Sequence, residues 1–230
     1  MKINKNIIFF AFILYGCSSV DYIGEQYLGV KYINNPLGEE KAPDFDPLIR
    51  TDAFDCTTFV ETTLANGNLE KLTKIRYKNG NIDFINRNHF IESDWLNNNS
   101  DIVENISHKY GKTNVRTVVI DKQNWLKKNY GINKEIKKQT VNLEYLSYSE
   151  ISEIKNKETL IVLFISGKPD FYDKIGSDLA VVHMGFLLEN GKLRHASRKQ
   201  GCVIDVDFKE YMNTLKQNKN NIGISLVKIK

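Results

Sequence analysis

The stretch Phe54-Asp-Cys-Thr-Thr-Phe-Val-Glu61 decides the fold prediction, because it places a cysteine at the predicted start of a helix. Asp55 is a good N-cap, since its side chain can accept a hydrogen bond from a free backbone N–H of the first turn. Asn66-Gly67 is a typical helix ending. The apolar side of the helix consists of Phe59, Val60, Thr63 and Leu64. The pattern therefore predicts a helix that begins at Cys56.

The position of Cys56 has two interpretations. Backbone N–H groups and the macrodipole at a helix N-terminus lower the pKa of a thiol, so the position suits a reactive thiolate. The alternative is a small buried hydrophobic residue beside Phe54 and Phe59. The stretch by itself favours the buried residue, and only a partner for the thiol favours the nucleophile.

Two histidines lie on neighbouring predicted strands, His183 in LAVVHMGFLLE and His195 in KLRHAS. A two-residue turn between these strands would place the histidines on opposite faces of the sheet, because side chains alternate along a strand. A three-residue loop, Glu189-Asn190-Gly191 with a left-handed glycine, instead sets Gly185 opposite His195 and places both histidines on one face. We predict the three-residue loop.

Two histidines on one face and a cysteine at a helix start suit a cysteine hydrolase, in which an imidazole takes the thiol proton and a polar group orients that imidazole. The rival interpretation is a zinc site formed by His183, His195 and His89. No HExxH motif and no closely spaced ligand pair supports zinc, so we expect neither a metal nor another cofactor. His108, in a polar run, is predicted to lie at the surface.

Composition excludes some classes of protein. The 230 residues are 41% hydrophobic and 26% charged, as in an ordinary globular domain. The net charge is +4, or about +2 without the two lysines near the N-terminus, and the basic residues form no stripe with aromatic residues. We therefore expect no nucleic-acid partner.

The N-terminus is typical of an export signal. A short basic region precedes nine apolar residues, IIFFAFILY, too few for a lasting transmembrane helix. Leu14-Tyr15-Gly16-Cys17 resembles a bacterial lipobox, which implies a signal peptide over residues 1–16 and a lipid on Cys17. Ser18 is compatible with sorting to an outer membrane. We expect a single domain over residues 17–230, anchored in the cell envelope and facing the periplasm.

Lipidation of Cys17 leaves two cysteines in the exported domain. A disulfide between Cys56 and Cys202 is compatible with that compartment but is indicated by no spacing, and a nucleophile must stay free. Cys202 lies in an alternating run and is predicted to be a strand residue that packs.

The order of predicted elements is that of an α+β protein. A polar tether over residues 18–47 leads into irregular structure, and the cysteine helix follows. KIRYKNGNIDFI predicts a hairpin with Asn79-Gly80 at its turn. Residues 113–157 are polar with helical stretches around 121–129 and 149–156. The rest of the chain is predicted as strands LIVLFIS, LAVVHMGFLLE, KLRHAS and CVIDVDF, helix FKEYMNTLK and strand IGISLVKI.

Several motifs in order resemble the bacterial N-acetylmuramoyl-L-alanine amidase-like family of the NlpC-type, papain-like cysteine hydrolases. The resemblance extends from about Tyr22 to Lys230. The motifs are Tyr27-Leu-Gly-Val-Lys-Tyr32, Leu37-Gly38, Phe54 to Glu61, Ile75-Arg-Tyr-Lys-Asn-Gly80, Asn86-Arg-Asn-His-Phe90, Asp94-Trp95, Val182-His-Met-Gly-Phe186, His195-Ala-Ser197 and Gly223-Ile-Ser-Leu.

The resemblance implies a papain-like fold in which the nucleophile helix packs on an antiparallel sheet, with a family-specific insertion between them. Cys56 matches the nucleophile, His183 the general base and His195 the orienting group. Tyr32 matches an aromatic residue that lines the oxyanion site. Four residues of the family-specific motif match positions along the substrate cleft: Arg87, His89, Asp94 and Trp95. Asp55 joins this group as the residue before the nucleophile. Arg87, Asp94 and Trp95 have a structural alternative, a salt bridge and a packed lid.

One feature of the family pattern is missing, since ETLIVLFISGK has no Gly-Asp pair before the histidine strand. The resemblance implies a monomeric peptidoglycan hydrolase that cuts the amide between N-acetylmuramic acid and L-alanine. A stem-peptide endopeptidase and a catalytically idle lipoprotein that binds cell-wall fragments are the alternatives.

Overall fold

The computed structural model describes residues 23–151, 154–168 and 171–230. The strands are β1 (Lys31–Tyr32), β2 (Ala53–Phe54), β3 (Val103–Asn105), β4 (Asn114–Ile120), β5 (Gln139–Ser147), β6 (Leu160–Ser166), β7 (Val181–Leu187), β8 (Lys192–Ser197), β9 (Cys202–Asp207) and β10 (Asn221–Ile229). The helices are α1 (Cys56–Ala65), α2 (Leu69–Arg76), α3 (Leu96–Asn98), α4 (Lys122–Tyr130), α5 (Phe171–Ile175) and α6 (Phe208–Lys216).

One mixed sheet contains these strands in the order β2-β1-β9-β8-β7-β6-β10-β5-β4, with β3 paired to β10. Strands β6, β7, β8 and β9 form an antiparallel series, whereas β1 and β2 are parallel. Helices and a largely antiparallel sheet confirm the predicted α+β class.

Strand β6 is buried on both faces of the sheet, which explains why its sequence is apolar throughout. Ile161 and Leu163 join the core beneath α1, and Val162 and Phe164 join the core beneath α6. The predicted period of two is therefore present, with a separate apolar layer on each side.

Helix α1 has the predicted bounds. Asp55 is its N-cap, and Asn66, in the left-handed conformation, is its C-cap. The helix is buried over Thr58–Ala65 and therefore on nearly all sides, more than its apolar side predicted. The ring of Phe59 packs edge-on against Phe186 of β7, with centroids 5.7 Å apart, and this contact fixes α1 on the sheet.

The loop between β7 and β8 is the predicted three-residue loop. Leu188 N donates to Lys192 O over 2.9 Å, and Gly191 has a φ of +78°. The register pairs Phe186 with Arg194, so Gly185 lies opposite His195 as predicted.

The predicted hairpin around Asn79-Gly80 is wrong. Its first three residues, 74–76, belong to α2, in which Leu72 and Ile75 are buried at helical spacing. Asn68 caps the first turn of α2 by accepting from Lys71 N over 2.9 Å. Asn79-Gly80 instead ends a 3-10 turn over Lys78–Gly80. The Asn-Gly pair predicted a turn correctly. The residues before it form a helix rather than a strand, because Asn68 is an N-cap and Leu72 and Ile75 follow at helical spacing.

The polar middle of the chain contains β4 and β5, which sequence analysis missed: in β4 the exposed positions include Val115 and Val119, so no alternation of apolar and polar residues marks the strand. The helix predicted at 121–129 is confirmed as α4. The helix predicted around 149–156 is wrong in its described part, where 149–150 lie in a turn and 154–156 are irregular; residues 152–153 lie outside that part.

Residues 33–52 contain no helix or strand and form the predicted irregular segment. Within the described ranges no helix is both long and apolar enough to cross a bilayer. The predicted signal peptide, Cys17 and the start of the tether lie outside those ranges.

Candidate active site

The N-terminus of α1 presents Cys56 as its first helical residue. A capping box holds this turn: Asp55 Oδ1 accepts from Thr58 N over 2.8 Å, and Thr58 Oγ1 accepts from Asp55 N over 3.0 Å. Asp55 Oδ2 also accepts from Asn35 N over 3.1 Å. Because both carboxylate oxygens have backbone donors, Asp55 fixes the start of the helix and so the position of the thiol.

The two strand histidines are hydrogen bonded to each other. His183 Nε2 lies 2.7 Å from His195 Nδ1, and the ring centroids are 4.9 Å apart. His183 also stacks obliquely on Phe164 at 5.4 Å, while the ring of Tyr211 on α6 meets His195 edge-on at 5.0 Å. Aromatic rings on both sides therefore leave the histidine pair little rotational freedom.

The missing side chain at Gly185 makes this pairing possible. A Cβ on Gly185 would lie 2.8 Å from His195 Cβ and 2.8 Å from Arg194 O. The glycine thus allows β8 to approach β7 beside the histidines, as the residue pattern predicted.

One cavity of about 600 Å³ brings the predicted catalytic residues together. Its floor and walls include Cys56, His183, His195 and Tyr32, and the thiol also interacts with the backbone N–H of Met184, next to His183. The other lining residues are Asn34, Asp55, Val182, Ser197, Arg198, Lys199, Gln200, Val206, Tyr211, Thr214 and Leu215.

The surroundings of Cys56 oppose the effect of the helix N-terminus on its thiol. Burial, and then the charge of Asp55, raises the pKa of the Cys56 thiol to about 12. Burial lowers the pKa of His183 to about 3, with a further contribution from His195, and lowers that of His195 to about 4. At neutral pH the site therefore contains a thiol and two neutral imidazoles rather than an ion pair.

Tyr32 directs a phenol to the same cavity. Its backbone N donates to Gly201 O over 2.7 Å, which ties β1 to the turn after β8. Burial, followed by electrostatic interaction with Cys56 and Asp55, raises the pKa of Tyr32. The hydroxyl is therefore protonated at neutral pH and can donate a hydrogen bond.

A second cavity, of about 340 Å³, adjoins the first through Asp55 and Asn34, which line both. Arg87 and His89 of the family-specific motif line this second cavity. His89 Nε2 lies 2.7 Å from Phe84 O, and burial, with the charges of Lys122 and Arg87, lowers the pKa of His89 well below its usual value.

Arg87 is held by two buried carboxylates. Its Nη2 lies 2.6 Å from Glu39 Oε2 and 2.8 Å from Asp44 Oδ2. This ion cluster joins the irregular segment to the second cavity, so the structural salt bridge that we left open for Arg87 is present.

Asp94 and Trp95 also make contacts that stabilise the fold: Asp94 forms an ion pair, and Trp95 packs in the core. Lys122 Nζ lies 2.8 Å from Asp94 Oδ2 in a third cavity, of about 340 Å³. Trp95 is completely buried in the core beneath α1. Because its ring reaches no surface, Trp95 is a core residue. The prediction that it lies along the substrate cleft is wrong.

Sequence analysis missed a buried ion pair on α1, the helix that begins at Cys56. Glu61, on α1, has its Oε2 3.7 Å from Arg76 Nε, and both side chains are almost completely buried. Burial raises the pKa of Glu61 to about 7, although the charge of Arg76 opposes the shift. A single glutamate in an otherwise uncharged helix was the signal for it.

Cys202 lies in β9 as predicted, and neither it nor Cys56 forms a disulfide. The structure brings His183 and His195 together and places His89 in the other cavity. Among the described residues, no group of three or more His, Cys, Asp or Glu side chains is arranged to hold a metal.

Comparison with known proteins agrees with the arrangement of these elements. Residues 22–222 match the AmiA-like family, N-acetylmuramoyl-L-alanine amidase-like. A solved structure from Legionella pneumophila is 25% identical with a TM-score of 0.82, over 90% of this chain and 86% of that one.

An N-acetylmuramoyl-L-alanine amidase from Bacteroides uniformis is also 25% identical, with a TM-score of 0.66 over 91% of this chain and 97% of that one. No curated protein matches the chain.

Proposed function

Because the chain belongs to the N-acetylmuramoyl-L-alanine amidase-like family, we propose that it is a cysteine-dependent peptidoglycan hydrolase. The amide that it cleaves is the one between N-acetylmuramic acid and L-alanine. The observation that carries the proposal is a cavity lined both by a thiol at a helix start and by a hydrogen-bonded histidine pair. The similarity to the Bacteroides uniformis amidase supports the choice of amide.

The first step is general base catalysis by His183. Its Nε2 is engaged with His195 Nδ1, so Nδ1 is the nitrogen left to accept the thiol proton. That role requires Nε2 to carry a hydrogen and donate it to His195, which is how His195 selects the tautomer. Cys56 Sγ then attacks the lactoyl carbonyl carbon as its proton moves to His183.

The second step stabilises and breaks the tetrahedral intermediate. Backbone N–H groups at the start of α1 and the protonated hydroxyl of Tyr32 donate to the oxyanion. His183 Nδ1 returns its proton to the alanyl nitrogen as the C–N bond breaks. Water, deprotonated by the same imidazole, hydrolyses the thioester and releases the muramic acid.

We also place the chain among the NlpC-type, papain-like hydrolases. A cysteine at a helix N-terminus, a histidine on one strand and a polar partner on the adjacent strand are the features that support this placement.

Digestion of purified peptidoglycan and mass spectrometry of the products test the activity. An intact stem peptide with free glycan supports the amidase, and a shortened stem peptide supports an endopeptidase. Unchanged muropeptides support a protein that only binds cell-wall fragments. Cys56→Ala should abolish turnover, whereas digestion by this variant at the wild-type rate contradicts the cysteine mechanism.

We further propose an envelope lipoprotein whose signal peptide is cleaved before Cys17, with the domain facing the periplasm. The lipobox-like Leu14-Tyr15-Gly16-Cys17 supports this. Metabolic labelling with a palmitate analogue tests it: wild type should be labelled and Cys17→Ser should not. Equal labelling of both contradicts the anchor.

A further inference from the structure

The turn between β8 and β9 carries two exposed cations at the edge of the catalytic cavity. Arg198 and Lys199 line this cavity together with Cys56 and His183. In the described part of the chain neither cation has an ion pair or a hydrogen bond through its side chain. Other arginines near the site are engaged with carboxylates, Arg194 with Asp205 among them.

The turn is held in a definite position. Gly201 N donates to Ser197 O over 2.9 Å, and Gly201 O accepts from Tyr32 N over 2.7 Å. The charge of Arg198 also acts on the Tyr32 hydroxyl, lowering the pKa that burial raises. The backbone of the turn therefore has a defined position beside the cavity, and the exposed side chains of Arg198 and Lys199 start from it.

The turn directly follows β8, the strand that carries His195, so the half of the substrate beside the histidines is the half that meets the turn. His183 must protonate the departing nitrogen, so the amine half of the amide lies on the histidine side of Cys56. In a muramyl peptide that half is the stem peptide, in which an acidic D-glutamyl residue follows L-alanine. The α-carboxyl of that residue is either free or amidated.

We propose that Arg198 and Lys199 recognise the free carboxylate of the stem peptide and make the enzyme prefer non-amidated substrates. This inference rests on the proposed function. A guanidinium and an ammonium donate charge-assisted hydrogen bonds to a carboxylate and none of comparable strength to a primary amide. Asp55 lines the same cavity and keeps its negative charge, so the two cations leave the lining with a net positive charge.

Two muramyl tripeptides that differ only at the D-glutamyl α-carboxyl, free or amidated, test the inference. An exposed ion pair is worth about two- to fivefold in affinity, so two cations predict about a tenfold higher kcat/KM for the free acid. The preference should shrink as salt rises from about 0.01 M to about 1 M, because the screening length falls from about 30 Å to about 3 Å.

The double variant Arg198→Gln/Lys199→Gln should cleave the two tripeptides at similar rates, and Arg198→Lys should retain most of the preference. Lys112→Gln, an exposed cation outside the cavity, is the matched control and should keep the full preference. Melting curves confirm that each variant is folded.

Three results overturn the inference. If wild type cleaves both tripeptides equally, the subsite is wrong and the amidase proposal stands. A preference that survives in the double variant places recognition elsewhere. If neither tripeptide is cleaved, the proposed function fails, and the inference fails with it.

Discussion

Cys56 illustrates how burial opposes a helix terminus. Its position at the start of α1 favours a thiolate, yet the surrounding protein and the carboxylate of Asp55 raise the pKa of the thiol to about 12. The histidines are neutral for the same reason, since desolvation disfavours the charged form of each group. In the proposed mechanism the thiolate therefore forms only as His183 removes its proton.

Alkylation of Cys56 by iodoacetamide should show this directly. Because the thiolate fraction grows about tenfold per pH unit below the pKa, the rate should rise without levelling off from about pH 6 to about pH 9. Peptide mapping by mass spectrometry measures Cys56 and, in the same digest, Cys202 as an internal reference. A plateau near neutral pH for Cys56 would instead indicate a preformed thiolate–imidazolium pair.

Tyr32→Phe tests the phenol as an oxyanion donor. Removing one such donor costs roughly 10²–10³ in kcat, with KM little changed, because the hydrogen bond forms mainly in the transition state. Backbone donors remain, so activity should be measurable. Tyr172→Phe, a tyrosine outside the cavity, is the matched control, and a wild-type kcat for Tyr32→Phe excludes the role.

At the level of elements, the β7–β8 hairpin controls whether the histidines can cooperate. Loop length sets the register, and a shift of one residue would send one ring to the opposite face. Gly191 supplies the left-handed residue of the loop, and Gly185 supplies the space beside His195. Gly191 therefore allows the loop that sets the register of the two histidines, and Gly185 leaves room for the side chain of His195.

Gly185→Ala and Gly191→Ala should separate these two effects. The first crowds His195 Cβ and Arg194 O at 2.8 Å, so we expect a loss of about 1–3 kcal/mol in unfolding free energy and a large fall in kcat. The second meets no neighbouring atom but strains a positive φ, at a cost of about 1–2 kcal/mol, with kcat retained. Denaturant unfolding and amidase assays measure both, and equal kcat values would contradict the packing role of Gly185.

Across the whole molecule, buried carboxylates link remote segments to the sheet. Arg87 joins the irregular segment through Glu39 and Asp44. Glu92 Oε1 accepts from Ala180 N over 2.6 Å, which ties the segment between β2 and β3 to the start of β7. Burial raises the pKa of Glu92 to about 7, so this contact depends on pH.

The pH dependence of stability follows from the sign of that shift. The pKa of Glu92 is raised from a usual 4.5. The contribution of the protonated carboxyl to the free energy of unfolding is therefore fully present below about pH 4.5 and is lost as the pH rises through about 7. Because a glutamine side chain does not ionise, the Glu92→Gln variant does not lose this stability as the pH rises. The melting temperature of the variant relative to wild type should therefore rise by roughly 6–10 °C between about pH 5 and about pH 8, or about 3 kcal/mol.

Scanning calorimetry across this range measures the difference. Glu104→Gln, at an exposed position, is the control and should show no such trend. A constant difference between Glu92→Gln and wild type would mean that the Glu92 carboxyl is ionised throughout.

The sequence by itself determined the parts of this protein that depend on local chemistry. Asp55 and Asn66 set the bounds of α1, alternation and apolar runs identified β6 to β10, and the loop before Lys192 set the register of the histidines. These features follow from hydrogen bonds and side-chain directions within a few residues of one another. The α+β class and the candidate residues Cys56, His183 and His195 could therefore be predicted.

Only the tertiary structure decided how each residue is surrounded. Desolvation of Cys56 and the two histidines favours their neutral forms, and complete burial of Trp95 made it a core residue. The sequence pattern also missed β4 and β5, because half-exposed strands are specified by their neighbours in the sheet. Charge states, cavities and partners depend on segments that are far apart in the chain, so folding alone brings them together.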